Sequence, residues 1–268
     1  MYVDVHAHLI HPSFDGDEDA TARRAAAAGV SRVIVNGLEP VSNRAVLALC
    51  RRHDNLRPAL GLYPVDAGAA AIDRAVWNHE FPAPAALDIA EVLAEIERHI
   101  DEIIAIGEVG LDAHWAPEAL GAQEEVLRAF CQLAVRHDKP LILHTRRAEQ
   151  RTLDILLEQG VRRADFHCYG GKLKLGQRIA AAGYTLSIPP VVERGESFQA
   201  LARALPLSAI LTETDCPYMG PDRAERNEPA NVVRGVAAIA LARQEPLELV
   251  RDAIAANYAR LFGEQVAP

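Results

Sequence analysis

The chain has 268 residues, half of them hydrophobic and 24% charged, enough to bury a sizeable core without disulfides and too apolar for long disorder. Its 28 Lys+Arg against 37 Asp+Glu leave a formal charge of −9. That argues against a broad basic surface coating duplex DNA, whose affinity is built largely from Lys/Arg–phosphate contacts, but not against an enzyme that holds one phosphate at a metal centre. Cys50, Cys131, Cys168 and Cys216 are far apart and form no C-x-x-C pattern, so buried thiols in a reducing cytoplasm are expected. The first residues lack the basic-then-apolar order of a signal peptide. No apolar run approaches the length of a membrane span. The expectation is a cytoplasmic protein with no membrane partner.

Short β-branched and aliphatic runs alternate with Ala-rich helical stretches. Strands are predicted at 2–6, 32–36, 58–62, 103–107, 141–144, 164–168, 185–188 and 209–213. Helical patterns follow at 17–28, 41–52, 89–100, 117–137, 147–158, 172–182, 195–204 and 230–242, and a last helix covers 246–261. Gly29, Gly160 and Gly183 stand where helix C-termini need a left-handed residue. The strand spacing, about 30 residues, is that of a βα unit. Eight such units in about 250 residues predict a single α/β domain over 1–268, a closed (β/α)8 TIM barrel. The competitor is an open doubly wound sheet, weakened because no G-x-G-x-x-G follows the first strand. The stretch 67–86, with AGAAA and FPAPAA, exceeds the usual loop and reads either as an active-site lid or as a tolerated surface insertion.

The strongest chemical signal is Val3-Asp4-Val5-His6-Ala7-His8. Strand alternation puts residues 4, 6 and 8 on one face, so two imidazoles converge at the C-terminal end of strand 1, where barrel active sites lie. An H-x-H pair alone is weak. Glu108 ends strand 4, His144 strand 5 and His167 strand 6, and Asp215 follows strand 8. Each alone reads as an ordinary loop or core residue. Six metal-competent side chains at one end of one barrel are hard to ascribe to chance. Such a donor set suits Zn²⁺ or Mn²⁺, with Mg²⁺ less natural. It is enough for two divalent ions, with Glu108 as the bridging carboxylate. Two ions would clamp an anionic transition state and acidify a water. Asp215 would then be both ligand and proton acceptor.

With these residues the chain resembles the TatD family of metal-dependent deoxyribonucleases, within the amidohydrolase-like barrels. The marks are VDVHAHL (3–9), AIGEVGLD (105–112), Gln123-Glu124 and PLILHTR (140–146). FHCYGG (166–171), LTETDCPY (211–218) and RNEPANV (226–232) complete them. The resemblance covers nearly the whole chain. It implies that His6, His8, Glu108 and Asp215 hold one metal and that Glu108, His144 and His167 hold the other. It also implies phosphodiester hydrolysis, commonly from the 3′ end of DNA. Some members of the family deacylate D-aminoacyl-tRNA, which keeps an ester-hydrolase reading open.

The chain departs from the family in places. The family's loop after strand 3 reads Gly-x-His-Pro, where this chain has Gly61-Leu62-Tyr63-Pro64. That His is a candidate phosphate contact, and Tyr63 keeps a hydrogen-bond donor there but carries no positive charge near neutral pH. Gly170 replaces a Ser, and strand 7 runs into Ser187-Ile188-Pro189-Pro190 instead of a Gly-rich turn. Arg146 matches the family's Arg and is the chief candidate phosphate contact, because a guanidinium binds phosphate oxygens in bidentate fashion. Tyr63 and Arg226 are the other candidate substrate contacts, and Glu213 and Asp112 are candidates to orient the ligands. The expected activity is hydrolysis of DNA, at single strands or ends, by a monomer. The rivals are an enzyme acting on a neutral ester, lactone or amide, and a non-enzymatic degenerate barrel.

Overall fold

A computed structural model describes residues 1–75, 77–79 and 81–265. Among these residues eight strands are present: β1 (Tyr2–Ala7), β2 (Val30–Asn36), β3 (Leu56–Leu60), β4 (Ala105–Gly110), β5 (Leu141–His144), β6 (Ala164–Phe166), β7 (Thr185–Ile188) and β8 (Ile210–Thr212). They pair in parallel and in chain order. The helices are α1 (Glu18–Ala27), α2 (Pro40–Cys50), α3 (Pro64–Ala67), α4 (Ile89–Arg98), α5 (Leu120–His137), α6 (Glu149–Gln159), α7 (Leu173–Ala181), α8 (Glu196–Ala204), α9 (Val232–Arg243) and α10 (Leu247–Phe262). This is the predicted TIM barrel. Every residue of β4 and of β7 is buried, as parallel strands covered on both faces must be. Local signals set the helix ends. Glu39 and Ser42 cap α2 reciprocally, and the Asp88 carboxylate accepts the Ala90 and Glu91 amides of α4, satisfying donors that have no partner within a helix. Gly29, Gly160 and Gly183 take φ of 83°, 69° and 93° after α1, α6 and α7. Among the described residues no helix is long and apolar enough to cross a membrane.

The ring closes between β8 and β1 by side chains as well as backbone. Asp4 accepts the Thr214 amide at 2.8 Å and the Thr214 hydroxyl, and Thr212 Oγ1 donates to the Val3 carbonyl at 2.9 Å. Beyond them Asp215 N donates to His6 O at 2.8 Å and His8 N to Cys216 O at 3.0 Å. This closure carries Asp215 to the two histidines of β1.

Strand boundaries differ from expectation at the mouth of the barrel. β3 begins at Leu56 and ends at Leu60, not at 58–62. Pro58 cannot donate, but its carbonyl still accepts Ile104 N at 2.9 Å, while Gly61 N turns away to the Asn43 side chain at 3.2 Å. β4 runs to Gly110, three residues beyond the predicted end, so Glu108 lies within the strand. Two close approaches there demand glycine. A Cβ on Gly61 would lie 2.3 Å from Glu108 O, and one on Gly110, at φ 146°, would lie 2.0 Å from His144 O. β6 and β8 are shorter than expected, because the chain turns off at Cys168 (φ 45°) and Asp215 (φ 50°).

The 67–86 excursion follows α3 and begins with a 3-10 turn, Ala69–Ala71. Val76 and Glu80, within it, lie outside the described residues. Val65 and Ile72 pack with Ala116 and Ala119 in a small apolar cluster of their own, flanked by Tyr63, Trp77 and Trp115. The excursion therefore sits on the loop that follows β4, at the barrel mouth. The cysteines are free, with Cys50, Cys131 and Cys216 buried and Cys168 half-buried.

Candidate metal centre

Alternation along β1 aims His6 and His8 into the mouth, and their Nε2 atoms come within 3.0 Å of one another. His6 Nε2 is 3.3 Å from Glu108 Oε2 and 3.8 Å from Asp215 Oδ1. His8 Nε2 is 3.4 Å from Glu108 Oε2 and 3.5 Å from Asp215 Oδ1. Four ligand atoms held about 2.0–2.1 Å from a tetrahedral ion lie roughly 3.3–3.4 Å from one another. The observed separations scatter about that edge length. The other carboxylate oxygen, Glu108 Oε1, lies 2.8 Å from His144 Nδ1 and 3.2 Å from His167 Nε2. Among the described residues, the side chains grouped closely enough to share an ion are His6, His8 and Glu108; Glu108, His144 and His167; and His6, His167 and Asp215. All six predicted ligands are thus brought together.

The cluster sets imidazoles around ionised carboxylates. Burial, then the charge of neighbouring His167, push the His6 imidazole down to about 3, so it is neutral with a lone pair to give. Burial pushes the Glu108 carboxyl up, but the His167 charge and the hydrogen bonds of His144, His167 and His6 outweigh it and hold the group well below its usual range. Asp215 is likewise held down, by its bond to His8 and the charges of the imidazoles, against the effect of burial. Against the effect of burial, the neighbouring carboxylates push His8, His144 and His167 up. A divalent ion, which requires neutral imidazole and ionised carboxylate, would therefore displace protons as it binds. Imidazoles and carboxylates are the donors such an ion takes. The donor set therefore fits the metal.

The supporting layer is also in place. Asp112 Oδ2 lies 2.8 Å from His144 Nε2, while Asp112 Oδ1 accepts the amides of His114 and Trp115 at 2.8 and 2.7 Å. A carboxylate behind an imidazole fixes the ring's tautomer and turns its other nitrogen toward the ion. Gln123 of α5 holds this loop, accepting the Asp112 amide at 2.7 Å and donating to the Asp112 and Ala116 carbonyls. Glu213 Oε2 is 3.6 Å from His167 Nδ1 and accepts from the Ser187 hydroxyl. Asp4, the clasp of the β8–β1 closure, belongs to this layer as well. Sequence reasoning put it on the same face as His6 and His8 but gave it no role. Nothing in a linear pattern names Thr214 as its partner.

The predicted substrate contacts divide. Arg146 is exposed at the mouth, with its guanidinium 5.1 Å from the centre of the Trp115 ring. The Tyr63 ring stands edge-on to His144 with centroids 5.0 Å apart, and its hydroxyl donates to Asp112 Oδ2 at 3.3 Å, so it supports the ligand layer directly. Arg226 lies over Phe14, donates to Ser13 O at 2.7 Å and pairs with Asp17. It ties the loop after β8 to the loop after β1. Arg194 donates to the Gly220 and Pro221 carbonyls, and Lys172 and Lys174 are exposed.

Comparison with known proteins places this site in context. The family model described as TatD-related DNase matches residues 3–263. The putative deoxyribonuclease TATDN3 of Mus musculus is 35% identical over 267 residues, covering 97% of this chain and 87% of the relative. The 3'-5' ssDNA/RNA exonuclease TatD of Cronobacter sakazakii is 29% identical, with 99% of each chain covered. The crystal structure of YjjV, a TatD homologue from Escherichia coli K12, superposes with a TM-score of 0.85 at 29% identity, covering 98% of each chain. With the family match running almost end to end over a barrel whose mouth gathers the six candidate ligands, the chain belongs to the TatD-related DNase family.

Proposed function

We propose that the chain hydrolyses phosphodiester bonds of single-stranded DNA from the 3′ end, at a centre that takes two divalent ions (Zn²⁺, Mn²⁺ or Mg²⁺). The observation that carries this reading is Glu108. Its Oε2 faces His6 and His8 while its Oε1 faces His144 and His167, so one carboxylate is shared by two ligand sets. His6, His8, Asp215 and Glu108 would hold one ion, and Glu108, His144 and His167 the other. Bound there, the ions would neutralise phosphate charge and make water a nucleophile near neutral pH. Asp215 would be both a ligand and the acceptor of the proton released in the attack. Arg146 holds the phosphate, and Asp112 and Tyr63 keep His144 in place. Arg226 contributes by fixing the loop after β8 at the mouth. The polarity and the single-strand preference follow the name of the Cronobacter relative.

The test is degradation of single-stranded oligonucleotides labelled at the 3′ or the 5′ end, by wild type and by Glu108→Ala. The 3′ label should leave first. Glu108→Ala should lose at least about 100-fold in turnover and bind fewer than two ions per chain while staying folded. Equal cleavage by both proteins would remove Glu108 from the chemistry. No cleavage by metal-loaded wild type, with turnover of a neutral ester instead, would replace the nuclease reading with an esterase.

A further inference from the structure

We propose that Trp77, Phe81 and Trp115 form a base-stacking subsite beside the metal centre, which takes a nucleobase of single-stranded DNA while Arg146 holds an adjoining phosphate. The inference rests on the nuclease reading and extends it to how the strand is held.

The chain has only two tryptophans and six phenylalanines. The large fully buried rings include Phe14, Phe130, Phe166, Tyr169 and Tyr258, where hydrophobic burial would send them. Both tryptophans are instead at the barrel mouth and only half-buried, and Phe81 is 37% exposed. They meet edge to face. Trp77 and Phe81 are 5.5 Å apart at 75°, and Phe81 and Trp115 are 5.2 Å apart at 85°. His79, itself exposed, stacks on one face of Phe81 (5.6 Å, 13°) and stands edge-on to Trp77 and Trp115 (4.3 and 5.2 Å). A flat ligand can therefore lie on the area that stays exposed on Phe81 and on the two half-buried tryptophans. Hydrogen bonds hold the patch to the excursion and to the metal site. Trp77 Nε1 donates to Phe81 O at 2.9 Å, and Trp115 N donates to the Asp112 carboxylate that braces His144.

The chemistry of the patch selects the ligand. The Arg146 guanidinium lies over Trp115. A guanidinium over an aromatic face keeps its N–H donors in its own plane, free for a phosphate. Aromatic faces beside an arginine donor match a nucleotide, base on ring and phosphate on cation. A chain of net charge −9 cannot collect a nucleic acid on a broad basic surface, so stacking is a needed source of affinity. In a duplex the base faces are buried against one another, and only an unpaired strand can offer one.

Because both tryptophans are in the patch, the intrinsic tryptophan fluorescence of the full chain reports on it alone. The metal-chelated protein is titrated with a short oligothymidylate, with a strand of equal length made of abasic sugar-phosphate, and with a blunt duplex. Only the first should quench. In parallel, Phe81→Ala and Trp115→Ala should raise KM for single-stranded DNA about 5- to 100-fold with kcat within about twofold, and Trp115→Phe should restore KM. Phe81 is exposed enough that its loss cannot unfold the barrel. Equal quenching by the abasic strand, or unchanged KM in both alanine variants of an enzyme that cleaves DNA, overturns the subsite and leaves the nuclease reading standing. Wild type that neither cleaves DNA nor shows quenching overturns both.

Discussion

Replacing Asp112 by Asn should cost the protein one metal ion before it costs the fold. The carboxylate accepts four hydrogen bonds. Oδ1 takes the amides of His114 and Trp115, and Oδ2 takes His144 Nε2 at 2.8 Å and the Tyr63 hydroxyl at 3.3 Å. An amide side chain has one oxygen. The two backbone amides belong to a tight turn and cannot move, so that oxygen stays with them and the new NH₂ group faces His144. An N–H cannot oppose an N–H, and His144 must shift its proton to Nδ1. That is the atom 2.8 Å from Glu108 Oε1, on the metal side, and once protonated it cannot be a ligand. Loss of a ligand's orienting partner typically weakens metal affinity 10–100-fold, about 1.4–2.7 kcal/mol. Calorimetric titration of chelator-stripped protein with Zn²⁺ should therefore show one weakened site, that of Glu108, His144 and His167. The site of His6, His8 and Asp215 should remain near wild type. If both sites of Asp112→Asn bind within about twofold of wild type, the tautomer argument fails.

Two further outcomes can be checked by denaturation. Burial and the charge of Glu39 push the Asp66 carboxyl up from 3.8 to about 6. A carboxyl raised by folding contributes stability that is complete below its unfolded pKa and lost as pH rises through 6. Discounted for its partial exposure, the strain above that pH is about 1–2 kcal/mol. Urea unfolding should find Asp66→Asn more stable than wild type by that amount at pH 8 and level with it near pH 4; an equal difference at both pH values would contradict the assignment. Gly110→Ala sets a Cβ 2.0 Å from the His144 carbonyl at a backbone φ of 146°, and should cost more than about 3 kcal/mol. Gly121→Ala, where nothing lies within 4 Å of the new atom, should cost nothing or stabilise by roughly 0.5 kcal/mol. Similar melting temperatures for the two variants would rule out the contact at Gly110.

Much of the centre was legible because a TIM barrel turns strand ends into a shared rim. Once His6 and His8 alternate onto one face of β1, and Glu108, His144, His167 and Asp215 occur at the ends of later strands, parallel closure brings all six to one place. The helix limits at Gly29, Gly160 and Gly183 were legible for a similar reason, since each rests on a local backbone requirement. Strand ends were less so. The drift of β3 and β4 at the mouth depends on Asn43 taking the Gly61 amide and on His144 O lying against Gly110.

What the sequence determined by itself is the barrel and the residue types gathered at its mouth, which follow from period, residue chemistry and position within each unit. Only the tertiary structure decided which atoms face which. His144 turns Nδ1 inward because Asp112, 32 residues earlier, holds Nε2. Asp215 reaches His6 because Asp4 clasps Thr214, 210 residues away. Tyr63 supports Asp112, Arg226 ties two loops, and Phe81 meets Trp115. These pairings join residues with no periodic relation along the chain. Hydrogen-bond direction and ring contact are selected by distances of a few ångströms in the folded state, and a one-dimensional pattern holds no record of them.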